Sequence, residues 1–407
     1  MITQALKNIS LRISSGGTPS RRRSEYFSME SGNLWVKSKE LLDSGISNTE
    51  EKITDEALNN SSAKYFPEHS ILIAMYGANV GQLGWLKNPA TVNQAVCGLV
   101  IDPGKADWRY VFYTLLQNRD NLTVQARGAA QQNLNQDLIK NFEIPLLPLE
   151  NQHSIADVLS TYDDLIENNT RQIQILEQMA QAIYTEWFIN FRFPGHEKVK
   201  MADSGADFGK IPEGWEISDL ESILDIKSGY SFKSNSYNQT GSFKIVTIKN
   251  IHDGKFVDDF NCISDIPKKM PDYCKLVDGD ILLSLTGNVG RVCVVYGKNL
   301  LLNQRVGKIV ANNVEHKSFI YSLFRSDDFK KKLELLSNGV AQQNLSPIQT
   351  LNLKIILPTP ELIAKYEKVV GELINLSISL NKQNKNLRQT RDLLLPKLVS
   401  GEIEVKI

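Results

Sequence analysis

Three consecutive arginines, Arg21, Arg22 and Arg23, stand in the glycine-flanked loop GGTPSRRRSEYF, and guanidinium groups there suit phosphate oxygens or guanine edges. Lys37, Ser38 and Lys39 follow a strand-like run, Asn79 and Gln82 occupy a glycine turn, and Arg127 precedes the string AQQNL. The second half offers Lys233, Ser234 and Asn235, then Lys249 and Asn250. Thr286, Asn288 and Arg291 lie on another glycine turn, and Arg305 follows Asn303-Gln304. Arg and Lys pair with guanine, Asn and Gln with adenine, and Ser, Thr and Lys with the backbone of DNA. This is binding chemistry. No G-x-x-x-x-G-K-[ST] phosphate loop is present. Asp225-Ile226-Lys227 after Glu221 has the residue types of a nuclease cluster, but Arg12 and Ser14 fill the corresponding places in the first half. Four scattered cysteines without CxxC pairing and 5 histidines speak against zinc.

The elements that carry these residues occur twice. AQQNL is found at Ala130–Leu134 and Ala341–Leu345; ILIAMYGANVG (Ile71–Gly81) returns as ILLSLTGNVG (Ile281–Gly290). Asn93-Gln94 returns as Asn303-Gln304, and Ser14-Ser15-Gly16 as Lys227-Ser228-Gly229. Each string is separated from its twin by about half the chain, too far for a solenoid repeat. A chain of two similar halves suits a target with twofold character, of which DNA half-sites are the commonest. Features common to both halves, such as Gln131-Gln132 and Gln342-Gln343, are expected to build the scaffold. Divergent positions, Arg21 to Arg23 against Lys233 to Asn235 and Arg305 against Ala95, are expected to set specificity.

Within each half, short apolar runs broken by Gly, Asn and Pro predict strands, and a long helical period follows. Ile155, Leu159, Tyr162, Ile166, Asn169, Ile173, Leu176, Ala180, Ile183 and Trp187 step by four and three, a heptad seam with one buried-type Asn. Leu362, Tyr366, Val369, Leu373, Leu376, Leu380, Gln383, Leu387, Thr390 and Leu394 repeat it. Each helix of roughly 40 residues is about 60 Å long, and the two are expected to bury against each other. The expected organisation is a β-rich domain over 1–145, a long helix over 146–190, a linker over 191–212, a second β-rich domain over 213–355 and a second helix over 356–407. Trp187, Phe188, Phe191 and Phe193 after helix one, and Leu394, Leu395 and Leu398 in helix two, are candidate partner-binding patches, with local packing of the helix bundle as the equal alternative.

Formal net charge is zero, with charged residues at 23%, which fits a subunit that shares phosphate contacts with partners better than a stand-alone DNA binder. No apolar run reaches membrane-spanning length and the N-terminus lacks a signal-peptide pattern, so a cytoplasmic chain with reduced, packed cysteines is expected.

IPEGW (Ile211–Trp215), the paired glycine turns, AQQNL before a Pro-rich segment, WFINFRFPG (Trp187–Gly195) and LLPKLVSGEI (Leu394–Ile403) appear in an order that resembles the specificity (S) subunits of Type I restriction–modification systems. The resemblance covers essentially the whole chain. It implies a mixed α/β (α+β) fold, with two pseudo-symmetric target-recognition domains separated by an antiparallel two-helix coiled coil. It also implies a non-catalytic subunit that binds double-stranded DNA at two half-sites, the coiled coil setting the gap, and recruits two methyltransferase and two restriction subunits. S-adenosylmethionine, Mg and ATP then belong to those partners and no cofactor to this chain; consistently, no [DN]PP[YF] motif is present. Two other readings stay open at this point: a coiled-coil scaffold without DNA specificity, and the specificity chain of a fused methyltransferase–nuclease system.

Overall fold

The computed structural model describes residues 2–126, 133–205, 208–238, 240–337 and 344–405. The chain divides into two compact units, Met1–Ile166 with Leu387–Ile407, and Glu167–Asn386. The fold is mixed α/β, and along the chain a long helix follows each β-rich domain.

Unit one stacks two sheets and a helical layer. One five-stranded sheet runs in the order Phe27–Ser28, Lys52–Ile53, Asn33–Val36, Ala90–Val92, Lys64–Phe66; the other runs Ser10–Ser15, Val96–Ile101, Ile71–Ala74, Leu83–Leu86, Ser44–Ile46. The strand Ile71–Ala74 explains its own sequence. Strand side chains alternate, so Leu72 and Ala74 pack with Val36, Phe66 and Val92 between the sheets. Ile71 and Ile73 face Tyr110, Val111, Ile155 and Leu159 in the helical layer. A strand covered on both faces is apolar throughout, and each such side chain contributes roughly 1.5–3 kcal/mol. Ile2–Ala5 pairs antiparallel with Glu143–Leu146, closing the domain where the Pro-rich segment begins.

Unit two repeats the plan. Leu224–Ser228, Val306–Ala311, Ile281–Ser284 and Val292–Val294 form one sheet; Asn261–Ile263, Phe243–Val246, Leu300–Leu302 and Lys275–Leu276 form the other. Leu282 lies between the sheets, while Ile281 and Leu283 face Phe319, Ile320, Leu362 and Tyr366. Glu216–Asp219 pairs with Lys354–Leu357 as the counterpart of the closing strands. The segment expected to be a bare linker contains a short hairpin, Met201–Asp203 against Lys210–Pro212.

The first long helix, Leu149–Tyr184, ends in a π-helical turn, Thr185–Ile189; the second spans Pro360–Val399. In unit two they run antiparallel: Asn384 donates to Thr170 Oγ1 at 3.2 Å, and the Tyr366 hydroxyl donates to Ala180 O at 3.3 Å. In unit one Arg391 meets Asp163. The first seam follows its pattern, with Ile155, Leu159, Ile166, Asn169 and Ala180 buried. The second is corrected at four members, Val369, Leu376, Gln383 and Thr390, which are exposed. Tyr366 and Leu380 are buried as expected, but Val369 and Leu376 are 44% and 48% exposed, and Val370 and Asn384 are buried instead. Two heptad registers share half their positions, and apolarity alone favours Val369 and Leu376. The chain adopts the register in which Asn384 and Arg391 find Thr170 and Asp163.

A carboxylate pins each β-domain to its helices. Asp163 accepts from the Tyr113 hydroxyl at 2.6 Å and pairs with Arg391. Glu177 accepts from Tyr321 at 3.2 Å and from Arg325 Nε at 2.8 Å, while Arg325 and Lys330 both reach Asp253. Burial first, then the facing carboxylate, pushes both tyrosine hydroxyls well above their ordinary range, so they remain donors. Removing Glu177 leaves the buried Tyr321 hydroxyl without its acceptor and takes one of two carboxylates from Arg325. Glu177→Ala is therefore expected to cost about 3 kcal/mol in urea unfolding of the full chain. A loss below about 1 kcal/mol, the size of an exposed pair, would show the pin to be dispensable.

Candidate nucleic-acid interface

Main-chain hydrogen bonds gather the repeated motifs at one end of the sheets in each unit. In unit one, Gly16 N donates to Val96 O at 3.2 Å and Gly17 N to Val92 O at 3.1 Å. Asn93 N donates to Val36 O (2.9 Å), Met75 N to Ala95 O (2.8 Å) and Leu134 N to Met75 O (2.9 Å). Residues 16–17, 36, 75, 93–95 and 134 are thus one bonded chain, and the loops they launch share that end. Unit two repeats it: Gly229 N to Val306 O, Tyr230 N to Leu302 O, Asn303 N to Val246 O, Leu285 N to Arg305 O and Leu345 N to Leu285 O, at 2.8–3.1 Å.

Several of the repeated letters are accounted for by this scaffold. A Cβ on Gly16 would lie 1.8 Å from Val92 O, and one on Gly229 2.4 Å from Leu302 O, so only glycine lets the backbones meet. Asn93 Oδ1 accepts from Ala95 N at 3.1 Å, and Asn303 Oδ1 from Arg305 N at 3.3 Å, fixing both turns. Leu134 and Leu345, the last residues of the two AQQNL strings, are buried. Gln131, Gln132, Gln342, Gln343 and Arg127 lie outside the described residues.

Of the expected contact residues, Arg21, Lys37, Ser38 and Lys39 come together with an acidic group. Arg21 donates two bonds to Glu51, at 2.8 and 2.9 Å, and lies 4.1 Å above the Phe27 ring and 5.1 Å from Trp35. Lys37 also reaches Glu51, at 2.8 Å, and Lys39 pairs with Glu50. Arg23 bonds the Tyr26 hydroxyl at 2.7 Å. Arg22 is exposed and has no side-chain partner among the described residues. Asn79 and Gln82 are half-buried on the turn between Gly77 and Gly81, both at positive φ. In unit two, Lys233 and Arg305 are exposed without side-chain partners among the described residues, with Ser234 and Asn235 exposed beside Lys233. Lys249 pairs with Asp259 at 3.1 Å, the counterpart of Lys39 with Glu50. Thr286 is half-buried and Asn288 exposed on the second turn. Arg291 instead lines a cleft of about 350 Å³ with Asp253, Lys330 and Glu334.

Several expectations are corrected by burial. Asn250 is fully buried; it accepts from Thr247 N at 2.8 Å and donates to Val257 O and Asp259 O at 2.9 and 2.6 Å. It is an internal bracket, as Glu40 is in unit one, where it accepts from Lys37 N at 2.7 Å. The aromatic patch after helix one faces inward. Phe188 and Phe193 are buried, and Trp215 of IPEGW lies 6.0, 5.4 and 5.4 Å from Phe188, Phe191 and Phe193. Trp187, half-buried, meets Tyr366 at 5.7 Å. Leu395 and Leu398 are core residues of unit one, with Leu394 packed beside them. Phe188, Phe193, Leu395 and Leu398 thus serve the domain cores, while Trp187, Phe191 and Leu394 remain partly exposed.

Sequence reasoning passed over Gln94 and Gln304. Both are exposed, follow the bracketing Asn, and have no side-chain partner among the described residues. The available signal was that the duplication retains a polar residue with no structural task. Tyr76, 40% exposed on the first glycine turn, was also missed.

Hydrogen bonds from Arg21 and then Lys37 hold the Glu51 carboxyl down at about 2, from an ordinary 4.5. The folded value lies below the unfolded one, so Glu51 stabilises fully above about pH 4.5, and that contribution is lost as pH falls toward 2. NMR titration should find the Glu51 carboxyl ionised at pH 3.5, and Arg21→Ala should move its midpoint upward. An unmoved midpoint would mean that Arg21 does not hold it.

The model of the Type I restriction modification DNA specificity domain matches residues 17–178 and 212–387. The Type I restriction enzyme MjaIX specificity subunit of Methanocaldococcus jannaschii is 30% identical over 407 residues, covering 97% of this chain and 91% of that one. The MjaVIII specificity subunit of the same organism is 29% identical, covering 91% and 86%. The crystal structure of a Type I S subunit from M. genitalium shares the fold at a TM-score of 0.59 and 18% identity, covering 100% and 96% of the two chains. Family, duplicated fold and paired strand ends agree: the chain belongs to the Type I restriction–modification DNA specificity family, whose members serve as non-catalytic specificity subunits.

Proposed function

We propose that this chain specifies a bipartite, asymmetric DNA site, each recognition domain reading one half-site through the strand-end cluster described above. The observation that carries this reading is one backbone framework built twice and dressed differently: Arg21 to Arg23 and Ala95 in one copy, Lys233 to Asn235 and Arg305 in the other. A shared frame with divergent side chains is what two different half-sites require. On this reading the chain comprises recognition domains over 1–145 and 213–355, helical regions over 146–190 and 356–407, and a connection over 191–212. The helices, 36 and 40 residues long, span roughly 54 and 60 Å. A helical turn of DNA is about 34 Å, so the pair is long enough to set a gap between half-sites.

The chain then brings two methyltransferase subunits, and two restriction subunits in the full complex, to that site in the cytoplasm. In place of the inward-facing aromatic patch, the helices carry the docking faces. Ile175, Met179, Val369 and Leu376 in unit two, and Leu165 and Leu393 in unit one, leave 44–70% of their surface exposed. Apolar residues at helical spacing suit partner helices. S-adenosylmethionine, Mg and ATP chemistry stays with those partners.

Mapping methylated adenines genome-wide, with and without this chain, tests the reading. One split motif should vanish with it; an unchanged map in cells that express the partner methyltransferase would favour a scaffold without DNA specificity. Arg22→Ala should relax one half-site and Arg305→Ala the other, each by about 1–3 kcal/mol of base discrimination. Equal loss at both half-sites from either change would sink the assignment.

A further inference from the structure

The acid at the centre of the first recognition loop is unexpected at a DNA-facing end. A carboxylate there repels phosphates and removes cations from the pool that releases counterions. Glu51 nevertheless engages two of them, Arg21 through both carboxylate oxygens and Lys37 at 2.8 Å. Its side chain is 21% exposed against 52% for Arg21, so the acid sits behind and the guanidinium in front.

The floor beneath Arg21 is rigid. Trp35 is 2% exposed, its indole N–H donates to Gly17 O at 3.1 Å, and its ring lies 5.6 Å from that of Phe27. Arg21 stacks over both rings. Guanidinium carries five N–H donors; the Glu51 pair uses two of them and leaves three. A planar fork with one edge bound to a carboxylate and a face laid on aromatic rings has lost most of its rotamer freedom before DNA arrives. Its charge is also largely cancelled, which weakens attraction to phosphate more than hydrogen bonding to a base edge. The second domain lacks the device. Asp259 corresponds to Glu50, the residue after it is Phe260, and Lys233 stands unpaired among the described residues.

We propose that Glu51 is a positioning residue for specificity: it holds Arg21 as a pre-oriented base reader for the first half-site and keeps Arg21 and Lys37 from acting as indiscriminate phosphate contacts. This rests on the reading of the strand ends as the DNA interface. It predicts an asymmetry. Removing the acid should cost discrimination in one half-site while strengthening binding to random DNA.

The test uses the full chain co-produced with its partner methyltransferase, carrying Glu51→Gln, Glu51→Asp or Arg21→Ala. Methylome maps score mismatched sites in each half, and binding to a random-sequence duplex is followed against salt. Glu51→Gln should raise methylation at sites mismatched in the first half-site about 5- to 100-fold and leave the second unchanged. Its log K against log salt slope on the random duplex should steepen by about one to two, near 0.9 per freed cation. Glu51→Asp, which keeps the charge, should recover part of the discrimination. Arg21→Ala damaging the first half-site while Glu51→Gln matches the parent would overturn the proposal and leave the interface reading standing. Silence of both substitutions would overturn the proposal and remove this loop from the DNA interface. Equal loss of discrimination in both half-sites from Glu51→Gln, with no recovery by Glu51→Asp, would mark Glu51 as merely structural and overturn it as well.

Discussion

In each β-domain the chain returns repeatedly to the same end of two stacked sheets, and backbone hydrogen bonds between strand termini fix each return. Gly16, Val36, Met75, Asn93 and Leu134 are linked in this way, as are Gly229, Val246, Leu285, Asn303 and Leu345. Side chains come and go on such a frame without moving it, because the bonds that hold it run through main-chain atoms, Arg305's carbonyl among them, and use no candidate recognition side chain. This separation is what the proposed reading of two different half-sites by one fold requires. It also explains which letters recur. Glycine is required where a Cβ would strike a carbonyl, Asn where a side chain must bracket a turn, and Leu where a buried residue bonds Met75 or Leu285 through its main chain.

The helices carry the second constraint. A two-helix pair with apolar seams alone could slip by a turn at little cost, since Leu replaces Leu. Polar groups that must find one partner forbid this: Asn384 with Thr170, Arg391 with Asp163, and the carboxylates that hold Tyr113 and Tyr321. Buried polar pairs stabilise little against apolar alternatives, and fixing register is their best-attested use. If the helices set the gap between half-sites as proposed, one fixed register is worth more than a deeper well.

Much of this architecture was legible because duplication supplies an internal control. Strings that recur in order marked the scaffold, and the apolar run Ile71–Ala74 with its twin Ile281–Ser284 marked strands covered on both faces. What was not legible followed from partners far apart in sequence. Val369 and Leu376 look like seam residues until Asn384 is seen to need Thr170. Asn250 has the type of an adenine reader, yet its donors close a local turn. The aromatic run after helix one reads as a patch because Trp215, which covers it, lies beyond a stretch that reads as linker. Glu51 drew no notice at all, since an acid near a basic loop is ordinary in sequence and informative only when both its oxygens meet one guanidinium.

The neutral balance of the chain acquires a physical meaning from these pairs. Cations at the recognition ends are mostly engaged: Arg21 and Lys37 with Glu51, Lys39 with Glu50, Lys249 with Asp259. Arg22, Lys233 and Arg305 are exposed without side-chain partners among the described residues. Sequence-independent affinity for DNA grows with the number of phosphates neutralised, so cations already engaged with carboxylates add little to it. Specificity is the ratio of specific to random binding, and lowering the denominator raises it as surely as adding a base contact. Affinity lost on the phosphates can be restored by partner subunits that need no sequence preference. Under the function proposed above, division of the work between a neutral reader and its partners follows from electrostatics, with the acids beside the loops keeping random binding low.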